Sequence, residues 1–515
     1  MSERIVIIGA GIGGLAAAMR LTHRGHDVTV LEARSDVGGK MRTVPSVAGP
    51  VDAGPTVLTL RPIFEELFDA CGQALTDHVT LDPLPMLARH HWDGDATLDL
   101  FADADRSRDA IGAFAGARAA VAFDTFHRDM ARLFAAFEGP MMQSGAPSLL
   151  GMAGVVARNP RLIGAMAPGR TMAADLARRF DDPRLRQLFG RYATYVGGDP
   201  TASPALLSLI WHAESRGVWA VRGGMAQLAR AMATIAEAAG ADIRLGTPVA
   251  RIETEGGRVT GVRTEGEHIA ADRVVFNGDP HALHDGLLGD ALRRSVPAPA
   301  VAARSLSAYV WSFAATPTGR APEHHNVFFA RTPNSEFVEV ARGDMPADPT
   351  LYVCAQDRGG APPTGPERFE IIMNGPPRTG AHPDPEEQSR CRETTFTRLA
   401  SMGLRFDPRP EITALTTPEQ FGAMFPASRG SLYGLSPEGM MAAFQRPRAR
   451  TKIEGLYLAG GGAHPGAGIP MAATSGRLAA EAIESDRTSR SPSRRTGMRG
   501  GISTASRRTG NAPSR

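Results

Sequence analysis

Gly9-Ala10-Gly11-Ile12-Gly13-Gly14 is the first stretch whose residue types and spacing could do chemistry. Glycines at 9, 11 and 14 have the G-x-G-x-x-G spacing. The first permits a tight turn, the second lets backbone approach a pyrophosphate, and the third lets a helix pack closely on a strand. A diphosphate would rest on the helix N-terminus, where unpaired N–H groups and the helix dipole favour anions. Glu32 follows 18 residues after Gly14, at the end of the next apolar run, where a carboxylate can accept from a ribose diol. An acid there disfavours a 2′-phosphate, and hence NADP. A second glycine pair, Gly38-Gly39, stands just beyond it, flanked by Arg34, Lys40 and Arg42, which could neutralise phosphates. A simple NAD fold does not need a second close backbone approach at that point. An FAD laid across the sheet does.

Two later stretches suit the flavin half of such a cofactor. Asp52-Ala53-Gly54-Pro55-Thr56 gives a rigid, extended backbone that could wall a flat ring, or else a plain turn. Leu456 to Met471 reads as a strand, a loop with Gly460, Gly461, Gly462, Gly466 and Gly468, and a helix that starts near Pro470. The positive end of that helix could face a flavin and stabilise the charge it gains on reduction. His464, inside the loop, is the candidate catalytic residue, although a loop histidine often only shapes its turn.

These residues need elements to position them. Ile5 to Ile8, Gly13 to Gly25 and Asp27 to Leu31 read as strand, helix and strand. From about Pro62 to Gly217 the pattern is mostly helical. Short strands return at Asp242 to Gly246, Val249 to Glu255, Arg258 to Arg263 and Arg273 to Phe276, with a hairpin signal at Glu255-Gly256-Gly257. The predicted class is α/β. A Rossmann-like dinucleotide domain is assembled from residues 1–80, 218–282 and 421–485. Residues 81–217 form a helical segment for substrate and membrane, and residues 283–420 a mixed α+β substrate segment.

Charge narrows the class further. The net charge is +3, but residues 486–515 hold eight arginines against one acid, so the remaining chain is slightly acidic. That segment is predicted to be a disordered basic tail. The body carries no basic footprint for nucleic acid. Cys71, Cys354 and Cys391 lie far apart, without metal or disulfide spacing, which predicts no metal and a reducing, cytoplasmic compartment. No run of 18 apolar residues suggests a membrane span. Between Pro147 and Pro168, Leu149, Leu150, Met152, Val155, Val156, Leu162, Ile163 and Met166 are interrupted by Arg158 and Arg161. That pattern suits a segment lying in a membrane interface, or else a buried helix pair.

The opening motif, Asp52 to Thr56, Gly223-Gly224, Asn277-Gly278-Asp279 and above all Gly460 to Pro470 resemble the bacterial phytoene-desaturase-type carotenoid desaturases over about residues 4–485. Overall likeness points within that family to the 1-hydroxycarotenoid 3,4-desaturase branch. The resemblance implies an amine-oxidase-type FAD fold. Gly9, Gly11, Gly14, Glu32 and Gly39 would hold the AMP and diphosphate half, and Val249 would meet adenine through its backbone. Gly460, Gly461, Ile469 and Met471 would lie by the ribityl chain and ring. Many of the wider oxidases carry an acid in the late loop, where this chain reads Gly460-Gly461-Gly462, so backbone N–H groups must serve there.

The implied reaction is hydride transfer from a saturated carbon of a 1-hydroxy or 1-methoxy acyclic carotenoid to flavin, with loss of a neighbouring proton. The implied setting is the cytoplasmic face of the inner membrane, with a lipid surface as partner and oxygen, a quinone or another carrier as electron acceptor. Rival readings are a phytoene desaturase, a protoporphyrinogen-oxidase-like flavoenzyme, a carotenoid isomerase and a prenyl-protein chaperone without flavin.

Overall fold

A computed structural model describes residues 2–359, 363–380 and 382–490. Its centre is a five-stranded parallel sheet in the order Leu456–Leu458, Arg273–Phe276, Arg4–Ile8, Asp27–Leu31, Asp242–Arg244. Strands from the start, middle and end of the chain lie side by side, as the segmented reading predicts. Successive strand residues point to opposite faces, and a parallel sheet must be covered on both. Accordingly Ile5 and Ile7 join a core with the helices Ile12–His23, Ala226–Ala238 and Ile469–Arg490. Val6, between them, joins a second core with Ile252, Val259 and Val262. Those residues belong to the three-stranded antiparallel sheet of Val249–Glu255, Arg258–Thr264 and His268–Ala270. Its first hairpin turns at Gly256 and Gly257, both at positive φ.

The first and last helices touch through glycine. A Cβ on Gly476 would lie 2.2 Å from the Gly13 carbonyl and 2.9 Å from the Ala16 Cβ. Only a residue without a side chain lets these two backbones approach so closely.

A second, eight-stranded sheet runs Leu404–Asp407, Ser307–Gly319, Glu367–Gly375, Leu351–Ala355, His325–Phe328, Met86–His91, Thr97–Phe101, with Leu415–Thr416 paired to the side of Ser307–Gly319. One face packs Trp311, Phe313, Phe369 and Ile371 on Phe396 and Leu399 of the helix Pro385–Ser401. Along the other face runs the short strand Val51–Asp52, tied in by Gln356. The Gln356 side chain accepts from Asp52 N at 3.0 Å and donates to Asp52 O at 3.0 Å.

Two boundaries differ from the sequence reading. The segment 81–217 is not helical at its start: Leu81–Leu84, Met86–His91 and Thr97–Phe101 are strands, and the last two form the edge of the large sheet. Each run is only four to six residues long, so its alternation carries a weak signal, and pairing of Met86–His91 with His325–Phe328 decides the matter. Helices follow, around an aromatic core of Phe123, Phe126, Phe134, Phe180, Phe189 and Trp211. The final helix also continues past Ser485 to Arg490. Asp486 holds it down, accepting from Arg450 Nε at 3.0 Å and from the Tyr457 hydroxyl at 2.8 Å. The remainder of the basic tail, 491–515, lies outside the described residues.

Candidate active site

The carboxyl ends of the parallel strands converge on the start of the first helix. Ligands of open α/β sheets bind in the crevice outside those ends. Gly9 N donates to Leu31 O at 2.8 Å, and the Asn277 side-chain amide donates to Gly9 O at 3.0 Å. A Cβ on Gly14 would lie 2.1 Å from Gly9 O, and one on Gly13 would lie 2.5 Å from Gly460 N. The early and late glycine loops therefore pack backbone to backbone. A Cβ on Gly39 would also come within 3.2 Å of Gly11 Cα. The helix itself starts at an N-cap glycine, Gly11, with no side-chain cap and no acid in its first turn. Its first N–H groups are presented to an anion and to no side chain of its own.

Glu32 is buried at the end of its strand. Each carboxylate oxygen accepts one backbone N–H, from Ala10 at 2.7 Å and from Arg34 at 2.9 Å. The carboxylate is thus fixed in orientation and keeps lone pairs for a diol. Thr247 N donates to Glu32 O, and Gly246 N to Arg34 O, both at 2.8 Å. These bonds bring the strand that begins at Val249 next to Glu32 and Arg34.

Lys40 and Arg42 turn away from the first helix. Lys40 Nζ donates to Leu432 O at 2.5 Å and sits 5.4 Å from the Phe425 ring centre. Burial pulls its pKa down to about 8, with Arg304 and Arg446 acting in the same sense and Asp279 opposing them. Arg42 donates to the Thr416 hydroxyl at 2.8 Å. Arg446 is buried and gives its donors to backbone, to Gly461 O at 2.7 Å, Tyr433 O at 2.9 Å and Leu435 O at 3.0 Å. Burial lowers its pKa to about 10. Arg304 pairs with Asp279, just beyond Asn277. Lys40, Arg304 and Arg446 thus share Asp279, which leaves the late loop under surplus positive charge. An uncapped helix start, glycine-lined backbone and buried cations without matching acids fit a diphosphate-linked cofactor.

The late loop is held by the same neighbours. Gly460 has φ of +93°, and its N–H donates to the Ser475 hydroxyl at 2.7 Å. Ile469 opens the last helix and is buried, while Met471 packs on the aromatic helical core. His464 Nε2 lies 2.9 Å from the Ser144 carbonyl, and its backbone N donates to Pro447 O at 2.8 Å. Facing a carbonyl, Nε2 must carry the proton. Burial lowers the pKa to about 4. The ring therefore ties the late loop to Ser144, just past the helix Ala117–Phe137 and its continuation Glu138–Gln143. Thr56 and His325 both hydrogen-bond the Tyr352 hydroxyl, at 2.8 and 2.7 Å. Asp52 is buried and accepts from Met225 N at 2.7 Å.

Sequence reasoning missed Arg446, Arg304 and Tyr352. None lies in a motif; Arg446 is one of two arginines in Gln445-Arg446-Pro447-Arg448. The fold also brings His324, His325 and Cys354 within 4.8 Å of one another. His324 Nδ1 faces the Arg358 carbonyl, His325 Nδ1 is bonded to Tyr352, and burial pushes the Cys354 thiol well up.

A strand-sheet scaffold built from separated segments, with an FAD-type crevice at the parallel strand ends, defines a flavoprotein oxidoreductase. The chain belongs to the flavin-containing amine oxidoreductase family, whose model matches residues 12–310. An FAD-dependent oxidoreductase model also matches residues 170–482. The chain is 56% identical over 490 residues to the hydroxyneurosporene desaturase of Cereibacter sphaeroides, covering 95% of this chain and 99% of that one. It is 53% identical over 487 residues to the enzyme of the same name from Rhodobacter capsulatus, covering 94% and 98%. Among solved structures, an oxidoreductase from Methanosarcina mazei superposes with a TM-score of 0.58 at 16% identity, covering 94% of this chain and all of that one. The resemblance to carotenoid desaturases is borne out, and the cofactor is FAD.

Proposed function

We propose that this chain is an FAD-dependent desaturase that introduces a C–C double bond, at C-3,4, into a 1-hydroxy or 1-methoxy acyclic carotenoid such as hydroxyneurosporene. The observation that carries this reading is identity above 50% along nearly the whole chain to two enzymes named hydroxyneurosporene desaturase. Bound FAD supplies the acceptor for the hydride that leaves a saturated carbon. The chain's own residues hold and orient. Gly9, Gly11, Gly14 and the first helix would take the diphosphate, Glu32 the ribose, and Lys40, Arg304 and Arg446 would offset negative charge by the late loop. Asp52 to Thr56 would wall the ring. A polyene offers no acidic proton, so positioning does more here than a strong base. His464, bonded through Nε2 to a carbonyl, suits a positioning task.

The substrate class favours a lipid surface. Leu150 is 87% exposed, and Leu149 and Ile163 are about half exposed beside exposed Arg158 and Arg161. The helix Leu149–Arg158 has no buried residue. Among the described residues no helix is long and apolar enough to cross a membrane. These features support docking of residues 149–166 at an anionic membrane face. The electron acceptor would reach the flavin from that side or from solvent.

The test is anaerobic mixing of the purified yellow protein with hydroxyneurosporene. Bleaching of the flavin band, with a product carrying one more conjugated double bond by chromatography, supports the reading. Bleaching by amines and not by the carotenoid overturns it.

A further inference from the structure

One row of side chains crosses four adjacent strands of the large sheet. His325 pairs with Cys354, Cys354 with Glu370, and Glu370 with Ser312. Directly opposed residues in antiparallel strands point to the same face. This is the face on which Val51–Asp52 lies, because Tyr352, two residues before Cys354, bonds Thr56. All four residues are more than nine-tenths buried, and Glu370 is wholly so. Among the described residues, neither oxygen of Glu370 has a hydrogen-bond partner; nor does the Ser312 hydroxyl or Nε2 of His325. Nε of Arg42, a group whose charge acts on Glu370, also lacks one.

Buried polar groups in folded proteins are nearly always hydrogen-bonded. Two orphaned carboxyl oxygens beside an orphaned hydroxyl therefore point to a group that the chain itself does not provide. The arrangement also suits a neutral acid. Burial, with Asp52 nearby, pushes the Glu370 carboxyl well above its usual range. A protonated carboxyl offers one O–H donor and one acceptor.

Position decides what the row could bind. In a carotenoid oxygenated at C-1 and desaturated at C-3,4, a single methylene separates the oxygen-bearing carbon from the reacting bond. Any group that reads this oxygen must stand beside the flavin ring. Glu370 and Ser312 lie on strands that pack against Val51–Asp52, so they would stand beside the ring where the Asp52 to Thr56 segment walls it as proposed above. We propose that Glu370, assisted by Ser312, hydrogen-bonds the C-1 oxygen of the substrate and so sets the preference for oxygenated over plain acyclic carotenoids. An alcohol would accept from one and donate to the other. A methyl ether would only accept, which the O–H of either residue allows. The inference rests on the desaturase reading above.

The test compares the FAD-loaded full chain with E370L, E370Q and S312A. Each is assayed on 1-hydroxyneurosporene and on 1,2-dihydroneurosporene, the same chain with hydrogen in place of the hydroxyl, by kcat/KM and by equilibrium binding. Sites built to hydrogen-bond a substrate hydroxyl reject the analogue lacking it strongly, so the wild-type preference should be about 100-fold or more. E370L should bring it close to unity with flavin content unchanged, through loss of the oxygenated substrate's binding. E370Q, which keeps a donor and an acceptor, should retain it, and S312A should lower it about tenfold. An E370L protein with full flavin and an undiminished preference overturns the proposal. If E370L fails to load flavin, an unchanged ratio in S312A overturns it instead. A wild type that uses both carotenoids equally well also overturns it, whereas a wild type that acts on neither overturns the desaturase reading itself.

Discussion

The side-chain amide of Asn277 donates to the Gly9 carbonyl at 3.0 Å, joining residues 268 apart in sequence. The same side chain lies where a Cβ on Gly11, Gly13, Gly14 or Gly460 would meet it within 3.0 Å. One residue thereby fixes the early turn, the first helix and the late glycine loop around the cofactor crevice. In N277A the Gly9 carbonyl loses its partner, at a cost of roughly 1–2 kcal/mol. FAD dissociation measured by fluorescence should be weaker in affinity by about tenfold. Affinity equal to wild type would show that the loops keep their spacing without Asn277.

Replacing Gly14 by alanine sets a methyl 2.1 Å from the Gly9 carbonyl. The helix cannot retreat without opening the sheet packing, so overpacking should cost about 1–3 kcal/mol and expel FAD. Thermal unfolding with and without added FAD measures both effects. Gly266, with open space around its Cβ position and no positive φ, is the control for local crowding.

His464 gives a pH signature. Its pKa falls from 6.5 to about 4 on folding, chiefly through burial. Between those values the unfolded chain binds the proton and the native ring does not. Stability should therefore fall as pH drops from about 6.5 towards 4, by at most about 3 kcal/mol from this group. H464Q, which keeps a donor towards Ser144 O, should lose that portion of the acid sensitivity in urea unfolding. It should retain turnover within about tenfold, since the ring is not expected to act as a base. Loss of turnover by several orders of magnitude would give His464 a catalytic role.

Truncation separates the helix end from the tail. A chain ending at Arg490 should bind FAD and unfold like the full chain. A chain ending at Ser485 loses the bonds from Asp486 to Arg450 and Tyr457. It should be less stable by about 1–2 kcal/mol. Calorimetry of the two proteins checks the boundary.

Membrane docking predicts that L150E combined with I163E reduces sedimentation with anionic liposomes, while flavin spectrum and melting temperature stay unchanged. Both side chains are exposed, so the core should not register the change. Binding that persists would move the docking surface elsewhere.

The sequence by itself determined the strand-helix-strand unit proposed to hold the phosphates. Gly9, Gly11 and Gly14 would act through backbone geometry, and Glu32 through a carboxylate at a strand end, all within one strand-helix-strand unit, so local spacing suffices to reveal them. The late loop was legible for the same reason: its glycines and prolines dictate a turn before the last helix. Only the tertiary structure decided which buried polar groups come together. Arg446 and Arg304 come from loops without a motif and gain meaning from burial beside Asp279. Glu370 sits in an ordinary alternating strand, Glu367–Gly375. Alternation determines that it points away from Phe369 and Ile371, but not what lies on its side. That depends on Val51–Asp52 being laid across the sheet by a pairing more than 300 residues distant, Asp52 with Gln356. Such a long-range contact has no local signature, because it arises from the packing of two separately formed sheets.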